Sequence, residues 1–221
     1  MRTLLLLDVE TTGTDPAKDR VVEIGAVRWD IDCRAIVSTH STLVRSETND
    51  AERVNGISVP LLAAHGRSMT EATAWARRAA AGCESIVAYN ADFDASFLSD
   101  VSAQWVDAMA FRWPRFSHSQ SLVNVALAHG VGVTGAHRAV ADCLLLAALV
   151  ERACEMGMSI EEEVARGLRP RELVASCHPY EDGNHTNKAA GFRWDDGRRA
   201  WVRKMAAEDI AALPFAVRRL E

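Results

Sequence analysis

The 221-residue chain has no apolar run close to the roughly 20 residues that a membrane-spanning helix requires, so we expect no membrane-spanning segment. Asp8 and Glu10 interrupt the first apolar segment, which is not the pattern of a secretory signal. The five cysteines form no CxxC pair, so reduced thiols and a cytoplasmic location are expected. Internal repeats and low-complexity tracts are also absent, and 48% hydrophobic residues indicate a globular protein with a real core.

An excess of positive charge is missing as well. The formal net charge is -5, whereas a general nucleic-acid binder is usually basic. The charges are unevenly distributed, because residues 166–221 carry 11 Lys and Arg against 8 Asp and Glu. Bound metal ions would offset acids elsewhere in the chain. The net charge therefore does not exclude a protein that contacts nucleic acid.

The most informative segment is the apolar run Leu4–Leu7, which ends in the sequence DVETTG. Side chains alternate along a strand, so Asp8 and Glu10 project to the same side. Two like charges there favour a bound cation, and hard divalent cations prefer carboxylate oxygens. Taken alone, the segment is equally compatible with the start of a polar loop.

Two later segments add acids in a recognisable pattern. The sequence IVAYNADFDASFL contains Asp94, and the sequence HRAVAD begins at His137 and ends at Asp142. Together with DVETTG, and in this order, they resemble the three motifs of the DEDDh exonuclease family. That family includes RNase T and the epsilon proofreading subunit of bacterial replicative polymerase. The resemblance covers roughly residues 2–152 and implies an α/β fold: an RNase H-like mixed five-stranded sheet flanked by helices.

Sequence patterns predict the elements of this fold. Val21–Asp30 and Arg34–Val44 read as strands of an antiparallel meander with the first apolar run, and Ile86–Tyr89 and Trp105–Asp107 read as further strands. A capping box at Ser68 predicts a helix that ends near Gly82. Further predicted helices are Leu122–His129 and Ala139–Met156. We predict an exonuclease domain over residues 1–157 and a small α+β appendage of unknown role over residues 158–221.

The resemblance implies a metal-dependent 3′-5′ exonuclease that releases nucleoside 5′-monophosphates. Two divalent ions, Mg²⁺ or Mn²⁺, would activate a water and stabilise the leaving oxygen. The resemblance gives Asp8 as the ligand shared by both ions. Glu10 and Asp142 would add to one ion, and Asp94 would act mainly through coordinated water.

His137 would be the general base, since imidazole ordinarily titrates near neutral pH. Residues five apart on a helix differ by about 140° around its axis, so His137 and Asp142 could not both face one site from one helix. Gly135 suits a loop just before His137. We therefore place Asp142 on the helix and His137 in the segment that precedes it.

The resemblance also suggests substrate contacts and partners. Thr11 and Thr12 would offer donors to the terminal nucleotide, and a plain turn is the alternative. Asn90 would position the strand end that carries Asp94. The expected partner is nucleic acid with a free 3′ end, single-stranded, with a DNA polymerase or another replication or repair protein as a further partner. A homodimer is left open.

The appendage has its own pattern. Glu161, Glu162 and Glu163 read as a solvated helix face. Further on, aromatic and basic residues alternate on both sides of the Asp196-Gly197 turn, which predicts a β-hairpin. Such a hairpin is typical either of a grip for single-stranded nucleic acid or of a small packed module whose tryptophans are buried.

Two alternatives to a DNA exonuclease stay open at this stage. The first is an RNA-trimming exoribonuclease, because no residue reports on the 2′-hydroxyl that separates RNA from DNA. The second is a non-catalytic, polymerase-associated module that binds nucleic acid. The complete set of four acids and His137 favours an enzyme over such a module.

Overall fold

The computed structural model describes residues 2–117, 119–135, 137–178 and 185–220. The chain divides into two compact units, Met1–Gly167 and Leu168–Glu221. This division lies ten residues beyond the boundary predicted from the sequence. The reason is a helix after residue 157 that buries Ile160 and Val164 in the core of the first unit.

The first unit contains the predicted mixed five-stranded sheet. Its strands are β1 (Thr3–Thr11), β2 (Val21–Asp30), β3 (Ala35–Leu43), β4 (Ser85–Ala88) and β5 (Trp105–Asp107). Their order in the sheet is β3-β2-β1-β4-β5. The pairs β1–β2 and β2–β3 are antiparallel, while β4 runs parallel to β1 and to β5. Strand β1 is thus central, and its carboxyl end lies in the middle of the sheet edge.

Helices follow most of the predicted boundaries. They are α1 (Glu52–Asn55), α2 (Val59–His65), α3 (Met69–Ala80), α4 (Ala91–Phe97), α5 (Leu122–Ala128), α6 (Ala139–Glu155) and α7 (Ile160–Gly167). The capping box forms as predicted, because Ser68 and Glu71 satisfy each other's backbone donors at the start of α3.

Alternate side chains of β1 build a core on each face of the sheet. Leu4 and Leu6 pack in one cluster with residues of α6 such as Cys143 and Leu146. Leu5 and Leu7 pack on the other face with α3. Asp8 follows Leu4 and Leu6 in the same alternation, so it projects toward the face that α6 covers.

The second unit is a four-stranded sheet with small helices. Its elements are β6 (Arg171–Ser176), α8 (His185–Ala189), β7 (Arg193–Asp195), β8 (Ala200–Ala206), α9 (Ala207–Ala211) and β9 (Val217–Arg219). The strand order is β7-β8-β6-β9. The predicted hairpin is β7–β8, which pairs Trp194 with Trp201. Sequence reasoning missed β6 and β9, since both are short and lack regular alternation.

Three expectations from the sequence can be compared with the structure. Glu163 does not lie on a solvated face: it is buried and bound by Arg112 and Arg166, because its side chain turns toward the loop after β5. All five cysteines are free thiols. Within the part of the chain that the structure describes, no helix is both long and apolar enough to span a membrane.

Candidate active site

Three carboxylates from two elements converge at the carboxyl end of the central strand. Asp8 and Glu10 come from β1, and Asp142 comes from the first turn of α6. Each offers an oxygen, and the three oxygens lie within 4.8 Å of one another. We call these three residues the acidic cluster. All three residues are intermediate between buried and exposed.

Close packing of α6 on β2 brings Asp142 to this position. Gly25 of β2 pairs with Asp8 in the sheet. A Cβ atom at Gly25 would lie 2.3 Å from the carbonyl carbon of Ala139 and 2.3 Å from the backbone nitrogen of Val140. The first turn of α6 therefore lies directly against the backbone of β2, an approach that only glycine allows.

Asp94 reaches the same region from α4. Its side chain is 1% exposed, and its Oδ1 accepts a hydrogen bond from the backbone N–H of Val9 at 3.0 Å. Burial raises the pKa of Asp94 well above its ordinary value, although this hydrogen bond opposes the rise. One oxygen is thus engaged with β1, and Asp94 is not among the three residues whose oxygens converge.

The electrostatics show that the carboxylates repel one another. Burial, followed by the charges of Asp94 and Asp142, raises the pKa of Asp8 well above its ordinary value. Burial and the charges of Asp142 and Glu23 raise the pKa of Glu10 to about 7. Burial also raises the pKa of Asp142. Without a counterion these groups favour protonation, whereas a bound cation would favour their ionised forms.

The acidic cluster fits a hard divalent cation. Its donors are carboxylate oxygens alone, which Mg²⁺ and Mn²⁺ prefer over nitrogen or sulfur. The donors are near enough to share one ion, and their partial exposure leaves room for water and for a substrate oxygen. The repulsion among the ionised groups is the electrostatic deficit that a cation removes.

His137 lies outside α6, in the position predicted for it. The helix begins at Ala139, and His137 is an exposed residue with a φ of 62°. Its backbone N–H donates to Oδ2 of Asp142 at 3.3 Å. The histidine thus adjoins the acidic cluster through its own backbone, and its ring is not enclosed by the protein.

Sequence reasoning missed an ion pair next to His137. Arg138 donates from Nε and Nη2 to the two carboxylate oxygens of Glu23, at 2.9 and 2.8 Å. Glu23 lies opposite Glu10 in the β1–β2 register and is 1% exposed. The sequence held one signal for this ion pair: Glu23 falls on the face of β2 that otherwise carries core residues such as Val27 and Trp29.

The hydroxyls of Thr11 and Thr12 both donate within the protein. Thr11 donates to the carbonyl of Gly13 at 2.5 Å, and Thr12 donates to Oδ1 of Asp19 at 3.1 Å. Both residues are buried. These bonds fix the turn after β1, and a contact of either threonine with substrate remains a prediction.

Asn90 occupies the junction between β4 and α4. Its φ is 82°, and its backbone N–H donates to the Asp107 carboxylate at 2.9 Å. The same oxygen of Asp107 accepts from the N–H of Met109, so Asp107 ties the ends of two neighbouring strands together. This junction directs α4, and hence Asp94, toward β1.

Comparisons with known proteins assign these features to a class. The fold is that of an RNase H-like exonuclease. The family model described as Exonuclease matches residues 5–150, and a domain of unknown function (DUF8626) matches residues 174–220. The chain is 32% identical over 151 residues to the DNA polymerase III subunit epsilon of Treponema pallidum, covering 61% of this chain and 68% of that protein.

Solved structures agree on the fold. Exonuclease X in complex with 5′ overhanging duplex DNA is 26% identical with a TM-score of 0.59, covering 73% of this chain and 97% of that one. E. coli exonuclease I in complex with a dA16 oligonucleotide is 18% identical with a TM-score of 0.59, covering 80% of this chain. The present chain spans about half of the exonuclease I chain, 48%. The chain belongs to the DEDDh-type 3′-5′ exonuclease family, a class of enzymes.

Proposed function

We propose that this protein hydrolyses phosphodiester bonds at the 3′ end of DNA and releases nucleoside 5′-monophosphates. The observation that carries the proposal is the convergence of the acidic cluster at the end of β1, within a chain that belongs to a 3′-5′ exonuclease family. Asp94 lies behind it, bound to the backbone between Asp8 and Glu10.

The acidic cluster would hold divalent metal, and Asp94 would complete the ligand set through water. Two such ions, Mg²⁺ or Mn²⁺, supply an activated water and stabilisation of the leaving oxygen when bound. The protein contributes the orientation of the carboxylates. The two on β1 are set by the strand alternation, and Asp142 is set by the packing of α6 on Gly25.

His137 would act as the general base. Its imidazole is exposed and the residue lies just before α6, and we propose that a ring nitrogen accepts the proton of a water at the acidic cluster. The backbone bond from His137 to Asp142 keeps the histidine beside the carboxylates. Proton removal at this ring is the step that the protein itself performs.

The substrate would be a DNA strand with a free 3′ end, most simply a single strand. Exonuclease I and exonuclease X have both been solved with DNA, and the epsilon-type relative is a polymerase subunit. Association with a DNA polymerase or a repair protein, and action in the cytoplasm, extend the proposal. Thr11, Thr12 and Asn90 would line the position of the terminal nucleotide.

The decisive experiment uses purified protein, Mn²⁺ and a single-stranded oligonucleotide labelled at its 5′ end. We expect a ladder that shortens from the 3′ end, and no shortening with Asp8→Asn. The matched control is Asp50→Asn, which removes an exposed acid outside the acidic cluster. Binding without shortening in the wild-type protein would contradict the proposal and favour a non-catalytic module.

An RNA-trimming activity is the second candidate. Matched DNA and RNA oligonucleotides of one sequence separate the two, since they differ at the 2′-hydroxyl. A higher kcat/KM on DNA supports the first proposal, and a higher kcat/KM on RNA supports the second.

A further inference from the structure

A buried acid on β2 caps the start of α6 from outside the helix. Arg138 occupies the N-cap position, and its side chain makes no capping hydrogen bond. The backbone N–H of Ala139, the first residue of α6, instead donates to Oε2 of Glu23 at 3.1 Å. A carboxylate of strand β2 thus supplies the acceptor that the first turn of a helix normally finds in its own N-cap residue.

The same carboxylate also holds Arg138. Its two oxygens accept the Nε and Nη2 donors of the guanidinium, which is the two-pronged geometry that arginine favours with carboxylates. The Glu23 side chain is 1% exposed, while the Arg138 side chain is 45% exposed. Three hydrogen bonds therefore converge on one buried group, and they fix both the backbone and the side chain at the start of α6.

Stability alone does not account for the position of this carboxylate. Glu23 lies opposite Glu10, and its charge contributes to the raised pKa of Glu10 and of Asp8. Replacing a buried ion pair by apolar residues is often neutral or stabilising. A buried acid beside three other acids therefore calls for a role beyond stability, and its partners indicate that role.

Those partners adjoin the residues of the proposed chemistry. Arg138 directly follows His137, whose φ of 62° lies in a region that residues other than glycine seldom adopt. Asp142 lies one helical turn beyond Arg138, and its backbone N–H donates to the Arg138 carbonyl at 3.0 Å. Fixing Arg138 thus fixes the histidine on one side and the aspartate on the other.

We propose that Glu23 is a positioning residue, which clamps Arg138 and the first turn of α6 so that His137 and Asp142 keep their places at the acidic cluster. The clamp rests on the proposed function and adds to it a residue that does not touch substrate or metal. The proposal also accounts for an arginine at position 138, because its positive charge opposes the rise in the pKa of Glu10.

The test compares Glu23→Gln, Arg138→Met and the double variant with the wild-type enzyme. Glutamine keeps the shape of Glu23 but loses the charge, and removing an outer contact of a metal site typically costs about 10–100-fold. We expect kcat to fall about 10–100-fold in each single variant, with KM changed less than about threefold. The double variant should be no slower than the slower single variant, because both remove one clamp.

The matched control lies on the same helix. Glu155 forms an exposed ion pair with Arg152 near the end of α6, so Glu155→Gln removes an arginine–carboxylate contact near the other end of the helix. We expect wild-type kcat for this variant. Additive losses in the double variant, or wild-type kcat in Glu23→Gln, would overturn the proposal.

A second measurement does not depend on activity. In metal-free protein, amide hydrogen exchange at Ala139 should accelerate in Glu23→Met, which leaves the Ala139 N–H without its acceptor, while exchange near Arg152 should not change. If the wild-type protein shows no cleavage and exchange at Ala139 still accelerates in the variant, the proposed function fails and the clamp stands. If the wild-type enzyme cleaves DNA while exchange at Ala139 is unchanged by the substitution, the clamp fails and the function stands.

Discussion

Asp94 of α4 and Val9 of β1 are joined by a hydrogen bond in which the Val9 N–H donates to the buried carboxylate at 3.0 Å. Asp94→Asn preserves an acceptor for this bond and removes one negative charge from the region. We therefore expect a higher free energy of unfolding in EDTA, because less charge repulsion remains. Cleavage should be about 10–100-fold slower, since a metal site loses an outer contact.

Chemical denaturation in EDTA and initial rates in Mn²⁺ measure the two effects. Asp50→Asn is the control, because this acid is exposed and lies outside the acidic cluster. A wild-type rate for Asp94→Asn would contradict its proposed part in metal binding.

The stability of the metal-free protein should depend on pH through Glu10. Its pKa is raised from 4.5 to about 7, so the folded protein binds a proton that the unfolded chain releases. The resulting stabilisation is complete below about pH 4.5 and is lost as the pH rises through about 7. In EDTA, the Tm should accordingly decrease as the pH rises through this window. The decrease in Tm should be smaller in Glu10→Gln.

Metal binding should show the opposite dependence. The carboxylates bind a cation in their ionised forms, so Mn²⁺ must displace the proton on Glu10. We expect the apparent Mn²⁺ affinity, measured by calorimetry, to rise from pH 5.5 to pH 8. An affinity that is constant across this range would argue against Glu10 as a ligand.

Gly25 should not tolerate a side chain. A Cβ atom there would meet the backbone of Ala139 and Val140 at 2.3 Å, and backbone cannot move aside without shifting α6. We expect Gly25→Ala to lower the free energy of unfolding by about 1–3 kcal/mol. The cleavage rate should fall by more than the loss of folded protein explains, because Asp142 moves with the helix.

The control is Gly132→Ala, where a Cβ atom would meet nothing within 4 Å. Urea denaturation and cleavage rates compare the two variants. Equal behaviour of both would show that the close approach of α6 to β2 does not position the site.

Loss of the general base should slow the reaction without loss of metal. His137→Gln removes the imidazole ring from an exposed loop residue, so folding should be unaffected. General-base catalysis typically contributes about 10²–10⁴-fold, and we expect a fall in kcat of that size. The control, His65→Gln, changes an exposed histidine of α2 and should leave kcat unchanged. Weakened Mn²⁺ binding in His137→Gln would point to a ligand role instead.

The hairpin of the second unit should strengthen binding of longer strands. Trp194 is 48% exposed and lies edge-on to Trp201 at 5.9 Å, with Lys188 6.0 Å from the Trp201 ring. An exposed aromatic beside a cation is suited to stacking on a base, worth about 1–3 kcal/mol per base. We expect Trp194→Ala to weaken binding of a 20-nucleotide strand in EDTA and to leave dinucleotide hydrolysis unchanged.

Fluorescence anisotropy with a labelled strand measures this binding. Ile36→Ala is the control, because Ile36 is 46% exposed on an edge strand of the first unit. Unchanged affinity in Trp194→Ala would indicate that the hairpin is a packed module. Equal losses on the long strand and the dinucleotide would also count against a grip.

The exonuclease unit could be predicted from the sequence in most of its elements. Strand β2 runs from Val21 to Asp30 and the α3 capping box begins at Ser68, as expected. These features depend on nearest neighbours and on side-chain alternation, which a sequence displays directly. The second unit was predicted less well, since β6 pairs with strands more than 25 residues away and has no strong pattern of its own.

The sequence by itself determined which side chains are available: two carboxylates at the end of an apolar strand, a third and a fourth in later motifs, and a histidine kept off the helix by its spacing from Asp142. Tertiary structure alone decided that the oxygens of three acids converge within 4.8 Å, that Asp94 turns to the backbone of Val9, and that Glu23 holds Arg138. The physical reason is distance along the chain. Glu23 and Arg138 are 115 residues apart, and only the packing of α6 against β2 brings them together.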